Sequence, residues 1–222
     1  MELHFDQELA QLKEKLLLMS SLTEQNVALA IRALVERNNA AAVKVERDDD
    51  LLDKLEIEID SLGIRLLALR QPKASDLRLI TTAMKISTDL ERMGDRAVTI
   101  ARRALELNTE PELKPLVDIP RMAEICQSMI RDTLDAFVYQ KPDLARQMPQ
   151  RDDEIDQLNR KVQGDLTDLM LRDSGTIVRA LKLMRVAQSL ERIGDHATNI
   201  AEEIVYLFEA RDIRHHQETV VA

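Results

Sequence analysis

Residues 89–104, DLERMGDRAVTIARRA, and residues 189–204, SLERIGDHATNIAEEI, are two versions of one segment, one hundred positions apart. A repeated segment of helical period makes the chain a duplicated body, which constrains the fold more than any other feature. Leu90, Glu91, Arg92, Gly94, Asp95, Ala97, Ile100, Ala101 and Leu107 align with Leu190, Glu191, Arg192, Gly194, Asp195, Ala197, Ile200, Ala201 and Leu207. A second match lies upstream, where DDDLLDKLEIEI (48–59) aligns with RDDEIDQLNRKV (151–162). It places Asp49, Leu52, Asp53, Leu55 and Ile59 on Asp152, Ile155, Asp156, Leu158 and Val162. The offset falls from 103 to 100 because the first half carries the longer connection, around Gln71 to Ser75. The chain therefore reads as two copies of a three-helix unit, residues 1–108 and 121–222, joined by the proline-rich segment 109–120.

Composition settles the element type. Aromatic residues make up 2% of the chain and Trp is absent, while Leu, Ala, Ile, Met, Glu and Arg dominate. Strong helix formers without the aromatic residues that strands favour predict an all-α fold of six long helices. Turn residues and prolines set their bounds near 4–37, 40–70, 75–108, 119–140, 143–171 and 176–212, with Thr176 as an N-cap. Pro149 predicts a kink or restart in the fifth. In the third helix of each unit, apolar residues recur at Leu90, Met93, Ala97, Ile100 and Ala104, and at Leu190, Ile193, Ala197, Ile200 and Ile204. Alternating steps of three and four form the seam of a bundle with near-parallel crossings. Helices of this length, at 1.5 Å per residue, make each unit a rod of roughly 45 Å. The pattern leaves open whether the rods share a core.

Four acidic pairs at i and i+4 stand equivalently in the two units: Asp49 with Asp53, Glu91 with Asp95, Asp152 with Asp156, and Glu191 with Asp195. Each like-charge pair destabilises its helix by roughly 0.2–0.5 kcal/mol, too little to demand a function by itself. Measured from the seam, Glu91 and Asp95 point about 130–170° away, and Asp49 and Asp53 about 90–140°. This predicts surface carboxylates, not buried ligands. Adjacent helices bringing each quartet together would offer eight or more oxygens to a hard cation. A solvated acidic helix face is the competing reading. Asn199, one turn beyond Asp195, adds an oxygen to the second stripe, where Thr99 and Arg103 stand in the first, so two sites need not bind equally. Arg92 and Arg192 read as partners that relieve acid repulsion, although a surface metal could recruit an anion beside them. Gly94 and Gly194 each cost a helix about 1 kcal/mol relative to alanine, which implies close approach of a neighbouring helix or, less favoured, a bulky ligand.

The remaining residues exclude more than they assign. Arg96 stands where the second copy has His196, so a general histidine ligand is unsupported. The Glu-x-x-His pair of ferritin-like bundles is absent. His215 and His216 fall in a polar tail read as disordered. Cys126, alone among apolar residues, reads as core, as do Met84, Met93 and Met184. No phosphate loop, zinc spacing or nucleophile with its base is present. The net charge of −9 opposes nucleic acid and anionic lipid. The start MELHFDQELAQL lacks the regions of a signal peptide, and no apolar run approaches the roughly 20 residues a membrane span needs. A single cysteine fits a reduced compartment, so a cytoplasmic protein is expected.

Asp-x-x-[Leu/Ile]-Asp on the second helix and Leu-Glu-Arg-[Met/Ile]-Gly-Asp on the third, written twice, resemble the PhoU family of phosphate-uptake regulators. RQPKASDLR (70–78) and LERIGDHATNIAEE (190–203) are the most specific pieces, and the likeness spans essentially the whole chain. The resemblance implies two similar three-helix bundles, often as a homodimer, and a non-enzymatic negative regulator. Its implied partners are the ATPase subunit of the high-affinity phosphate ABC transporter and a sensor histidine kinase, with the membrane reached only through them. It further implies metal clusters on the bundle surface: Asp49, Asp53, Glu91 and Asp95 in one, and Asp152, Asp156, Glu191 and Asp195, with Asn199, in the other. Iron, zinc, manganese, magnesium and calcium are all candidates. A metal-independent helical scaffold and a carboxylate-bridged metalloenzyme are the alternatives. The enzyme is disfavoured because outward acids leave no dry pocket.

Overall fold

The computed structural model describes residues 2–70, 72–113, 118–212 and 219–220. Six long helices carry the fold: α1 (Glu2–Val35), α2 (Asn39–Arg70), α3 (Ala74–Leu107), α4 (Asp118–Val138), α6 (Met148–Arg172) and α7 (Ile177–Glu209). A four-residue helix, α5 (Pro142–Ala145), precedes α6, and a 3₁₀ turn over Ser174–Thr176 leads into α7. Beyond α7, Arg211–Asp212 pairs antiparallel with Thr219–Val220. His215 and His216 lie outside the described residues.

Most differences from the expected bounds are end effects with visible causes. α1 stops at Val35 because Arg37 takes a left-handed φ of 53° and Asn38 N donates back to Ala33 O, a C-terminal cap. α7 stops at Glu209, with Ala210 left-handed in the same way. The predicted helix 143–171 is broken at Arg146 and Gln147 and restarts at Met148, with Pro149 in the first turn, where its missing N–H has no role. Pro120 likewise lies in the first turn of α4, not in a connection. Thr176 does not cap with its side chain: its hydroxyl donates to Asp173 O, and Asp173 Oδ1 accepts from Gly175 N instead.

The two halves are built alike down to single contacts. Thr23 Oγ1 donates to Leu90 O at 3.4 Å, and Cys126 Sγ donates to Leu190 O at 3.3 Å, so α1 grips α3 as α4 grips α7. The halves differ where Asn26, fully buried with both amide atoms unpartnered, stands opposite Met129; nothing in its surroundings accounts for it.

The rods share one core. α1, α2 and α3 form one bundle and α4, α6 and α7 the other, while α3 packs along α7 and α1 against α4. Among the described residues the buried apolar side chains other than Ala180 form a single continuous cluster. Leu16, Ile86 and Leu90 meet Phe137, Ile200 and Ile204 around a void of only about 10 Å³. Met93, Cys126 and the Ile193 side chain are wholly inside, whereas Met84 and Met184 are half-buried. α3 and α7 run antiparallel, since Lys85 meets Glu203 at 3.0 Å and Asp89 meets His196 at 2.9 Å. The two copies are therefore related by a local pseudo-twofold axis, and equivalent residues meet only near it, where Arg92 and Arg192 border one groove. No described helix is long and apolar enough to cross a membrane.

Candidate metal-binding furrows

The glycines explain how the acids are seated. A Cβ built on Gly94 would lie 2.5 Å from Leu52 Cδ1 and 3.4 Å from Asp49 Oδ1. On Gly194 it would lie 2.6 Å from Asp152 Oδ1 and 2.9 Å from Ile155 Cδ1. In both copies the missing side chain lets the second helix of the unit lie close against the third and tucks its first aspartate against that backbone. The close approach is thus by a neighbouring helix, and what it brings is a carboxylate.

Two furrows result. In the first, between α2 and α3, Asp49 and Glu91 are half-buried while Asp53 and Asp95 face water. In the second, between α6 and α7, Asp152, Asp156, Glu191 and Asp195 are all half-buried. The expected outward placement is therefore only partly met. An angle measured from the seam of one helix does not register how closely its partner in the same unit approaches, and the approach allowed by Gly94 and Gly194 half-buries Asp49 and Asp152.

Crowding without matching cations sets the electrostatics. Burial pushes the Asp49 carboxyl up to about 6, helped by Asp53 and Asp95 and opposed by Arg102. Burial, then Asp95, Glu56, Asp53 and Asp49, pushes Glu91 up to about 7. Burial, then Asp195 and Asp156, pushes Asp152 up to about 7. Glu191 is raised by burial, Asp195 and Asp156, against Arg192 and a hydrogen bond from Asn159. Each quartet thus shares one electrostatic neighbourhood, yet among the described residues no three His, Cys, Asp or Glu side chains stand as a ready ligand set for one ion. Asp152 Oδ1 and the Thr198 hydroxyl are both buried without a well-formed hydrogen bond, although Thr198 stands near enough to favour the Asp152 anion. An orphaned buried carboxylate oxygen in an oxygen-rich furrow fits a hard cation.

Two residues escaped the sequence reading. Glu56 adds a fifth acid to the first furrow, and its equivalent in the second is the buried Asn159. The offset of 103 that aligns Asp53 with Asp156 also aligns this pair, so the signal was present. The expected role of Arg192 is met by its ion pair with Asp195 at 2.9 Å. Arg92 makes no such pair among the described residues; it lines the space between the furrows instead. There, an open groove of about 810 Å³ between α3 and α7 is bordered by Arg92, Arg96 and Arg192 together with Glu91, Asp95, Asp152 and Asp195. Asn199 also lies on this groove. Cys126 is fully buried and its thiol is pushed up by burial, so it is core, as expected.

A family model described as the PhoU domain matches twice, over residues 16–104 and 119–204. The phosphate-specific transport system accessory protein PhoU homolog of Pseudomonas putida is 41% identical over 212 residues, 95% of this chain and 83% of that protein. The homolog of the same name from Aquifex aeolicus is 41% identical over 208 residues, 94% of each chain. The crystal structure of PhoU from Pseudomonas aeruginosa superposes with a TM-score of 0.90 at 39% identity, covering 93% of this chain and 99% of that one. The phosphate transport system regulatory protein PhoU from Streptococcus pneumoniae gives a TM-score of 0.87 at 29% identity, covering 94% and 98%.

Proposed function

The chain belongs to the PhoU family, and from that premise we propose that it is a non-enzymatic cytoplasmic regulator of phosphate uptake that binds metal in its two acidic furrows. Its relatives are named as accessory proteins of phosphate-specific transport. The regulator docks on the ATPase subunit of the phosphate ABC transporter and on a sensor histidine kinase, and reaches the membrane only through them. Docking favours the kinase state that represses starvation genes, which requires different affinities for two kinase conformations. The chain works as a homodimer.

One observation supports the metal reading above the others: two furrows, equivalently placed in the two halves, each hold a half-buried aspartate against a helix that glycine has opened. Asp49, Asp53, Glu91 and Asp95 would hold metal in the first. Asp152, Asp156, Glu191 and Asp195 would do so in the second, with Asn199 at its margin. The donors are oxygens, the chemistry of magnesium, manganese, calcium and iron more than of zinc. A bound cation supplies the charge that cancels the mutual repulsion of the carboxylates. Rotamer changes of the aspartates, and of the longer Glu91 and Glu191, would draw them inward.

Two results test the proposal. Deleting the gene leaves phosphate-starvation genes expressed in phosphate-rich medium; normal repression after deletion would refute the regulatory role. Purified protein carries metal, and a variant with Asp49, Asp53, Asp152 and Asp156 all replaced by Asn loses it while keeping its helical circular dichroism. Equal metal content in the two would leave a helical scaffold with acids that merely solvate it.

A further inference from the structure

We propose that the groove between α3 and α7 is a cation-dependent site for a tetrahedral oxyanion of the phosphate class, held by Arg92, Arg96 and Arg192. The cation dependence rests on the metal reading of the furrows; the anion site itself rests on the groove.

The guanidiniums are there because the duplication is imperfect. Across the pseudo-twofold axis Arg92 faces its counterpart Arg192, and Arg96 corresponds to His196. His196 is held by Asp89 at 2.9 Å. The counterpart of Asp89 is Ser189, whose hydroxyl is spent on Arg185 O at 2.9 Å, so Arg96 finds no acid across the seam. Its Nε is buried with no partner, and neither Arg92 nor Arg96 forms an ion pair among the described residues. Among the described residues, Arg192 alone of the three is engaged, by Asp195 on its own helix. With no protein acceptor holding its buried nitrogen, the Arg96 guanidinium, which lines the groove, is left to turn its other donors to a ligand oxygen. Planar guanidiniums offer paired donors matched to the oxygens of phosphate.

Charge decides when such an anion can enter. Glu91, Asp95, Asp152 and Asp195 border the same groove, so with all four ionised the carboxylates outweigh the three guanidiniums and repel a dianion. Cations in the flanking furrows use up those carboxylates and leave the arginines exposed to the groove. Cation and oxyanion then strengthen each other's binding by the same factor, as linkage requires.

The test is calorimetric titration of the full chain, either loaded with manganese or stripped with chelator, with inorganic phosphate, sulfate and phenyl phosphate. Loaded protein is expected to bind phosphate, and stripped protein to bind it at least about tenfold more weakly. In loaded protein Arg96→Ala should weaken phosphate at least about tenfold, the loss of a charged hydrogen-bonding partner, with manganese stoichiometry unchanged. Ser189→Asp should do the same while keeping the guanidinium, because it gives Arg96 the partner that Asp89 gives His196. Lys85→Ala, outside the groove, should leave binding as it was. A preference for inorganic phosphate or for phenyl phosphate supports the site and identifies a free ion or a monoester as its ligand. Loaded protein that ignores phosphate, or binds it equally in Arg96→Ala and Ser189→Asp, overturns this proposal alone. So does equal affinity with and without manganese. A chain that takes up no manganese overturns the furrow reading as well.

Discussion

Leu90→Ala will lower the free energy of unfolding by about 2–5 kcal/mol, the usual cost of emptying a buried leucine site, and will do so for both halves at once. Leu90 is 1% exposed. It lies on the α3 seam where residues of α1, α4 and α7 also converge, and its carbonyl accepts the Thr23 hydroxyl. A cavity there removes packing from both bundles, because the buried cluster runs unbroken between them. If the bundles were independent, the substitution would split the melting curve into an early transition for the first half and an unchanged one for the second. The shared core predicts a single transition displaced as a whole. At roughly 2–4 °C per kcal/mol for a chain of this size, the displacement is on the order of 4–20 °C. Calorimetry checks it, and two resolved transitions would show that the contact of α3 with α7 is energetically minor. Leu190→Ala, the equivalent change in the other copy, should give the same single displaced transition.

The sequence disclosed the plan of the molecule and much of its candidate site, for the same reason in both cases. Duplication writes each constraint twice, so a seam or an acidic pair that recurs at a fixed offset stands out from ordinary helical pattern. The repeat placed each pair of acids on neighbouring helices, and Gly94 and Gly194 marked a close approach; the structure sets Asp49 by Asp95 and Asp152 by Asp195. What stayed hidden depends on contact between the copies. Periodicity places α3 on its own bundle but cannot state that its other flank packs on α7, so the groove between the furrows was not legible. The Asp89–His196 and Lys85–Glu203 pairs were hidden too, because each joins residues that are not repeated: Ser189 and Arg96 replace the first pair, and Arg185 and Arg103 the second. Local breaks were missed for a different reason. A two-residue interruption at Arg146 and Gln147, and the choice of Asp173 over Thr176 as the capping side chain, are settled by backbone geometry that several sequences could adopt.

Raising the pH from about 5 to about 8 in the presence of chelator will destabilise the protein, the reverse of the usual behaviour of native carboxylates. In the unfolded chain these groups titrate near 3.8 for Asp and 4.5 for Glu; in the folded chain Asp49 is raised to about 6, and Glu91 and Asp152 to about 7. Between those values the folded protein holds protons that the unfolded chain has released, so stability falls as pH rises. The stabilisation is complete below the unfolded values and is lost as pH climbs through the folded ones. Because the furrows are open to water, screening reduces each contribution to roughly 1 kcal/mol. Three such groups give about 3 kcal/mol, or a melting temperature lower by roughly 6–12 °C at pH 8 than at pH 5. Glu191, raised by the same causes, acts in the same direction. Manganese should invert the trend, since a cation binds the deprotonated carboxylates, stabilises the folded state by mass action and competes with protons for the same oxygens. Melting curves at pH 5 and 8, with chelator and with manganese, measure both effects. A variant with Glu91→Gln and Asp152→Asn should flatten the chelator series by removing two of the four raised carboxyls and should weaken the response to manganese. A melting temperature that rises from pH 5 to pH 8 in chelator would mean that the carboxylates are well solvated and apart, and the furrows would then have no unmet charge for a cation to satisfy.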